Sequence, residues 1–374
     1  MPIFTNKITE SEFFRDYWRK KPCFLPTACN INELIACSDK ASLLLLTNNE
    51  LIETRLVSSP TYEMHLGPFQ LNAIPKNSLL MIQGLDQHLS ELNQLLLDEF
   101  SFLPRWRIED VMATIGDIGA NCGAHFDNYD VFLLQVSGAK TWQLDDGGHN
   151  EHHLDLEADI RLLQQFEPST THHALPGDVL YIPPGFGHWG IAKEESITLS
   201  VGIRNPTIPE LISHLADSVI DSSNETALLD DDVLSSNNAI AASDISNLED
   251  KLSETLLDPE RLADWYGCYM TELREPDTIR QNEEISDNKL RSILTEGSSV
   301  SCMLPTRITY VLDEQSLTVY VNGDALTSNV SVTPWLQVLC TQRRVDTANI
   351  LQDKDSIELL QTLWANGSIE FDQN

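Results

Sequence analysis

The sequence predicts a mainly β protein with helices added, and three observations carry that expectation. Short apolar runs of strand length, several alternating with period two and bounded by glycine, proline and serine, fill residues 110–203. Beyond Pro206 the spacing changes to that of helices, with apolar residues recurring at i, i+3, i+4 and i+7. From about Ser286 short helical stretches alternate with two β-runs, residues 307–312 and 317–321. These shifts divide the chain into residues 1–206, 207–285 and 286–374.

Taken in order, residues 12–22 place Phe13, Phe14, Tyr17 and Trp18 at helical spacing, with Pro22 as the stop. Gly116, Gly119 and Gly123 interrupt a β-like run, as expected where a strand bends or a backbone approaches a ligand. Residues 131–136 and 139–144, separated by Ser137-Gly138, have the pattern of a β-hairpin. Residues 178–182 are short, apolar and β-prone, and end at Pro183-Pro184-Gly185. Thr207-Ile208-Pro209 opens a helix, with proline early as helix starts tolerate, and Leu211, Ile212, Leu215, Val219 and Ile220 form its apolar stripe. The acidic, Ser/Asn-rich residues 221–238, with Asp230–Asp232 at their centre, are expected to be a mobile loop. Helical spacing resumes near Leu248 and again at Leu262, Trp265, Tyr266, Tyr269 and Met270. There are no internal repeats.

A formal charge of −33 over 374 residues argues against binding a nucleic-acid backbone, which needs a basic footprint, and permits a basic partner to be steered in. No run approaches the roughly 18 apolar residues of a membrane span, so no membrane partner is expected. The first seven residues lack the apolar run of a signal peptide, and the seven cysteines are scattered without C-x-x-C pairs. A reduced, cytoplasmic setting fits that usage best.

The chemistry-bearing residues are His125, Asp127 and His188. On a strand, residues two apart share a face, so His125 and Asp127 can grip one metal together, and His188 sits just past the Pro-Pro-Gly turn. Two imidazoles and a carboxylate on one face of a metal form the facial triad of non-haem Fe(II) oxygenases, which leaves positions open for substrate and O2. H-x-D alone is a cheap pattern, and a surface histidine beside an aspartate is its bland reading. The surrounding glycines and strands are what raise it. Lys140 is a charged residue near the start of a strand, and its bland reading is an ordinary solvated lysine. His149, His152, His153, His172 and His173 are taken as loop residues, since strand neighbours face opposite ways and no cysteine lies nearby to complete a zinc set. Asn128 and Tyr129 follow the motif at a barrel lip, and Trp142 and Trp189 have the character of core or rim aromatics.

With the ligands in that order, and with Gly177-Asp178-Val179-Leu180-Tyr181-Ile182-Pro183-Pro184-Gly185 leading to His188, the sequence resembles the JmjC oxygenases of the cupin superfamily. The resemblance implies a double-stranded β-helix, or jelly-roll, using Fe(II), 2-oxoglutarate as cosubstrate and O2. It implies that Lys140 binds the distal carboxylate of 2-oxoglutarate, with Thr114 as the hydroxyl residue near it and Ser200 as a second candidate of that kind. For Thr114 the competing reading is a β-branched strand filler.

Trp106-Arg107-Ile108-Glu109-Asp110, the sequence from His125 to Phe132, and Ser200-Val201-Gly202-x-Arg204 are similar to the bacterial branch of ribosomal oxygenases. That branch implies hydroxylation of an arginine β-carbon in the sixteenth large-subunit ribosomal protein, a homodimer made by the helices after the barrel, and a winged-helix-like tail. Some members carry arginine where this chain has Lys140, which alters cosubstrate geometry and keeps the charge. The tail lacks a dense basic stripe, Arg343-Arg344 being its one adjacent basic pair, so it is expected to contact protein rather than DNA. A JmjC demethylase, a histidyl hydroxylase of another basic protein and a non-catalytic cupin assembly protein are the alternatives.

Overall fold

The computed structural model describes residues 3–4, 8–30, 32, 38–70, 74–222, 240–256, 258–273, 279–296, 299–313 and 316–372. The acidic loop expected over 221–238 lies, beyond its first two residues, outside the described ones. Two compact units divide the chain, Met1–Asn205 and Pro206–Asn374.

The first unit is a rolled antiparallel double sheet. Its strands are β1 (Cys23–Leu25), β2 (Thr54–Ser58), β3 (Glu63–Leu66), β4 (Ser78–Ile82), β5 (Ile108–Gly116), β6 (Asp130–Ser137), β7 (Lys140–Leu144), β8 (Thr170–Ala174), β9 (Val179–Ile182), β10 (His188–Ala192) and β11 (Ser196–Ile203). Eight make one sheet in the order β1-β9-β6-β11-β5-β4-β2-β3, and the other three make the small sheet β10-β7-β8. This is the double-stranded β-helix of the cupin fold. Residues of β6 and β9 explain why their sequences are continuously apolar. Phe132, Leu134, Val136, Val179 and Tyr181 join a large outer core with Phe13 and Leu96. Val131, Leu133, Leu180 and Ile182 point the other way and join Trp142, Leu144 and Ala174 of the small sheet. Strands covered on both faces lose the polar alternation of a half-buried strand.

Three expectations are corrected. Residues 131–136 and 139–144 are strands but not a hairpin: β6 pairs with β11 and β9, whereas β7 pairs with β10 and β8. At Ser137-Gly138-Ala139 the chain leaves one sheet for the other, and Gly138 turns that corner at φ +64, where a Cβ would fall 2.0 Å from the Glu195 carbonyl oxygen. A Ser-Gly turn looks the same locally whether the chain folds back or crosses over. The leading helix α1 (Glu10–Asp16) carries a Thr9/Glu12 capping box and ends well before Pro22. The chain reverses at Arg19, φ +55, so that the Arg19 N–H donates to the Tyr181 hydroxyl and its guanidinium reaches buried Asp130 at 3.2 Å. His172 and His173 belong to β8 rather than a loop; His172 stacks on Phe24 and His173 Nδ1 meets the Thr141 hydroxyl at 3.1 Å.

In the second unit, α2 (Ile208–Ser222) starts where the sequence predicts, with Thr207 and Glu210 bonding each other's backbone N–H. It is followed by α3 (Ala242–Leu256) and α4 (Pro259–Thr271). The tail holds the predicted hairpin β12 (Ile308–Leu312) and β13 (Leu317–Val321), extended by β14 (Asp324–Ser328). Helix α4 rests on this sheet: Tyr320 donates to Asp264 at 2.7 Å, and its ring occupies the space a Cβ on Gly267 would need. Trp335, Leu336, Leu339, Leu360 and Leu363 fill the core beneath. Arg343 is buried and donates to the Thr306 and Met303 carbonyls, so one half of the basic pair at 343–344 is a structural tie.

Candidate metal centre

His188 opens β10, and its backbone meets His125 in an isolated antiparallel bridge, with N–H to O distances of 3.0 and 2.7 Å in the two directions. The expectation that His125 and Asp127 lie on a regular strand is corrected to this single bridge. The extended pair hangs off the edge of the small sheet, and Asp127 is held by its carbonyl accepting the Gly185 N–H at 2.8 Å. The outcome the strand was invoked to explain still holds. One donor atom from each of His125, Asp127 and His188 lies within 4.8 Å of the others, and His188 Nε2 is 3.6 Å from Asp127 Oδ2.

Both imidazoles are oriented by backbone. His125 Nδ1 lies 3.0 Å from the Gly123 carbonyl and His188 Nδ1 lies 3.0 Å from the Phe186 carbonyl. A carbonyl can only accept, so each Nδ1 carries the proton and each Nε2 is left with its lone pair for a cation. Burial, reinforced by a charge on His125, pushes His188 down to about 4, which keeps it neutral and able to ligate. Burial also opposes charge on His125, but the Cys122 sulfur and the Asp127 carboxylate outweigh it and lift that imidazole to about 10. A divalent cation at Nε2 would displace the proton held there and leave His125 neutral. Two neutral nitrogens, one carboxylate and a half-open approach through Asp127 fit an octahedral first-row metal with free positions.

Behind the triad, Lys140 projects from the small sheet across to the large one. It is 3% exposed, and its ammonium donates to the Thr114 hydroxyl at 3.2 Å. Among the described residues no carboxylate pairs with it, and burial pushes its pKa down to about 8. The solvated-lysine reading of the sequence is overturned. Thr114 pairs with Thr198 across β5 and β11, and Thr198 donates to Gln135 Oε1 at 3.1 Å. Ser200 lies one lumen-facing step further along β11, opposite Met112, and is not bonded to Lys140 or Thr114. Tyr129 is 43% exposed, its ring lying over Gly202. Trp189 donates to Asn121 at the rim, and Trp142 lies under the Lys140 ammonium at 5.2 Å.

Cys122, with Sγ 3.9 Å from His125 Nδ1, and Asp145, which bonds the turn before His188, are site residues that sequence reasoning missed. Cys122 carried no signal. Asp145 follows β7 by one residue, and nothing local says that β10 begins alongside.

A rolled antiparallel double sheet with His, Asp and His converging at its mouth and a buried cation in its lumen defines a cupin-fold metalloprotein of the facial-triad class. Residues 95–211 match the JmjC domain model and residues 248–370 match the ROXA-like winged helix. The ribosomal protein uL16 3-hydroxylase of Escherichia coli (strain K12) is 30% identical over 343 residues, spanning 86% of this chain and 89% of that protein. The crystal structure of E. coli YcfD superposes with a TM-score of 0.87 at 25% identity, covering 100% of each chain. The structure of E. coli YcfD in complex with cobalt and succinic acid does so with a TM-score of 0.82 at 25% identity, covering 100% of this chain and 99% of that one. This chain belongs to the JmjC-domain ribosomal oxygenases.

Proposed function

We propose that this chain is an Fe(II)- and 2-oxoglutarate-dependent hydroxylase that places oxygen on the β-carbon of an arginine in the large-subunit ribosomal protein uL16. The observation that carries the reading is the convergence of His125, Asp127 and His188 in front of a buried Lys140 that has no carboxylate partner among the described residues. It is supported by likeness along most of the chain to a uL16 3-hydroxylase, position 3 of an amino acid being its β-carbon. When bound, Fe(II) would activate O2, the oxidant: one oxygen atom would enter the substrate C–H bond and the other would enter succinate, as 2-oxoglutarate loses CO2 and gives up the other two electrons.

The rest is the work of the chain. His125, Asp127 and His188 hold the metal on one side and leave its other side to the lumen. Lys140, with Thr114 beside it, binds the far carboxylate of the cosubstrate, where a compact ammonium in a dry pocket suits a carboxylate. Ser200 completes the polar row on β11. Tyr129 offers an aromatic wall at the mouth for the stem of the substrate side chain. A chain of formal charge −33 attracts a basic ribosomal protein over long range.

Within the second unit we assign residues 207–285 to homodimer formation and 286–374 to a winged-helix tail that contacts protein rather than nucleic acid, with α4 joining the two. Ile208, Ile212 and Ile220 of α2 are 62–67% exposed, and Ile245 and Leu252 of α3 are 55% and 48% exposed. Apolar faces so open are what a second copy covers. The protein acts in the cytoplasm, where its substrate is made; no helix among the described residues is long and apolar enough to cross a membrane.

The test is mass spectrometry of ribosomal proteins incubated with the enzyme, ferrous iron, 2-oxoglutarate and air. One added oxygen mapped to an arginine of uL16 supports the reading. Loss of a methyl group, an oxygen on histidine, or 2-oxoglutarate turnover with no modified protein overturns it.

A further inference from the structure

The turn Gly185-Phe186-Gly187, which delivers His188 to the metal position, has almost every backbone polar group occupied. The Gly185 N–H donates to the Asp127 carbonyl at 2.8 Å, and the Gly185 carbonyl accepts the His149 N–H at 3.0 Å. The Phe186 carbonyl accepts His188 Nδ1–H at 3.0 Å. The Gly187 N–H donates to Asp145 Oδ1 at 2.8 Å, and the Gly187 carbonyl accepts the Asp145 N–H at 3.1 Å. One detail of this set matters most. The Gly187 N–H and the Phe186 C=O belong to the same peptide unit, so the carboxylate of Asp145 and the imidazole of His188 bind the two ends of one rigid plane.

We propose that Asp145 is a positioning residue for the metal centre, acting on His188 through the Phe186–Gly187 peptide. Metal-ligating histidines commonly give their second ring N–H to a carboxylate or a backbone carbonyl, which fixes the tautomer and raises ligand basicity. Here the two arrangements are joined in series: carboxylate, peptide, imidazole, metal. An anion accepting from the peptide N–H polarises the unit and makes its carbonyl a stronger acceptor, and hydrogen bonds in a chain reinforce one another in a buried setting. The plane's orientation also sets where the His188 ring points.

Asp145 is itself held. Its side chain is 9% exposed, Oδ1 also accepts the Gly147 N–H at 2.9 Å, and Oδ2 accepts His149 Nε2–H at 2.5 Å. The His149 ring lies beside Phe126, the residue between His125 and Asp127. A Cβ at 187 would fall 2.2 Å from Asp145 Oδ2, so a larger residue there would displace the carboxylate. The loop thus bonds the Asp127 backbone and the His188 ring, while Asp145 touches no ligand directly.

The inference rests on the metal-site reading above, and its test separates the two. Anaerobic titration with Co(II), read by the visible ligand-field absorption and by competition with a chelator, gives metal affinity for wild type, Asp145→Ala, Asp145→Asn and His149→Ala. Asp145→Ala is expected to weaken the metal by about 10- to 100-fold and to shift the Co(II) bands, as loss of an outer-shell partner does. Asp145→Asn keeps an acceptor for the Gly187 N–H and should recover most of the affinity. The 2-oxoglutarate KM at saturating metal stays at the wild-type value in both, since Lys140 is untouched. Should Asp145→Ala fail to fold, His149→Ala loosens the same carboxylate and is expected to weaken metal several-fold. Wild-type affinity and unshifted bands in a folded Asp145→Ala, or an Asp145→Asn no better than alanine, overturn the inference. If the wild-type protein itself binds no Co(II), it is the metal-site reading that fails.

Discussion

Replacing Lys140 with methionine separates what this ammonium costs the fold from what it does for the cosubstrate. The side chain is 3% exposed, bonds a neutral hydroxyl, has no carboxylate partner among the described residues, and has its pKa pushed from 10.5 down to about 8 by burial. An unpaired buried cation is a liability to the free protein and an asset once a carboxylate arrives. Methionine keeps the volume and removes the charge. A hydrogen bond to a charged group is worth about 1.5–3 kcal/mol, and taking the upper half of that range for a dry site predicts a 2-oxoglutarate KM raised by roughly 45- to 160-fold at neutral pH. The assay is succinate formation against 2-oxoglutarate concentration at saturating metal.

Two signs follow from the same shift. Between about pH 8 and 10.5 the unfolded chain holds a proton on this lysine that the folded protein has shed, so the lysine's contribution to stability rises with pH across that window and is least below pH 8. The metal-free methionine variant should accordingly melt at or above the wild-type temperature at pH 7, with the gap closing as pH approaches 10.5. Binding of the cosubstrate needs the protonated form, so wild-type KM should climb as pH rises past about 8, while the methionine variant shows no such climb. A KM within about threefold of wild type, or a metal-free methionine variant clearly less stable than wild type, would refute the reasoning and return Lys140 to a purely structural role.

Three further outcomes are expected. His125→Ala or Asp127→Ala should lower O2-dependent turnover of 2-oxoglutarate by more than about 100-fold, beyond the effect of an outer-shell partner, with the circular dichroism of the fold retained. Ile212→Asp with Ile220→Asp puts charge on the exposed stripe of α2 and should raise the dimer dissociation constant by about 100-fold or more, read by sedimentation equilibrium. A dimer that survives both substitutions uses another surface. Tyr129→Ala should raise KM for the protein substrate by about fivefold, the worth of roughly 1 kcal/mol of aromatic contact, and leave the 2-oxoglutarate KM unchanged.

The three metal ligands were legible before any fold was known, because H-x-D and a histidine after Pro-Pro-Gly are chemical types in a set order. Strand existence was legible too: Val131 to Val136 and Val179 to Ile182 declare themselves by β-branched, apolar content. Strand partnership was not. The hairpin expected between 131–136 and 139–144 dissolved because periodicity records which faces of a strand are buried and is silent on which strand lies alongside. The loop expected at His172 and His173 fails for a related reason, their polarity concealing a small-sheet edge strand whose outer face is open.

What the linear order determined by itself was an inventory: ligand types, apolar periods, turn residues and a strongly acidic balance. Tertiary structure alone decided that Lys140 is buried with no carboxylate partner among the described residues, that Thr114 and not Ser200 meets it, and that Asp145 grips the Phe186–Gly187 peptide. The reason lies in distance along the chain. These contacts join residues 26 and 42 positions apart, the first across the two sheets and the second between the ends of neighbouring strands of the small one, and their geometry is set only when the sheets are assembled.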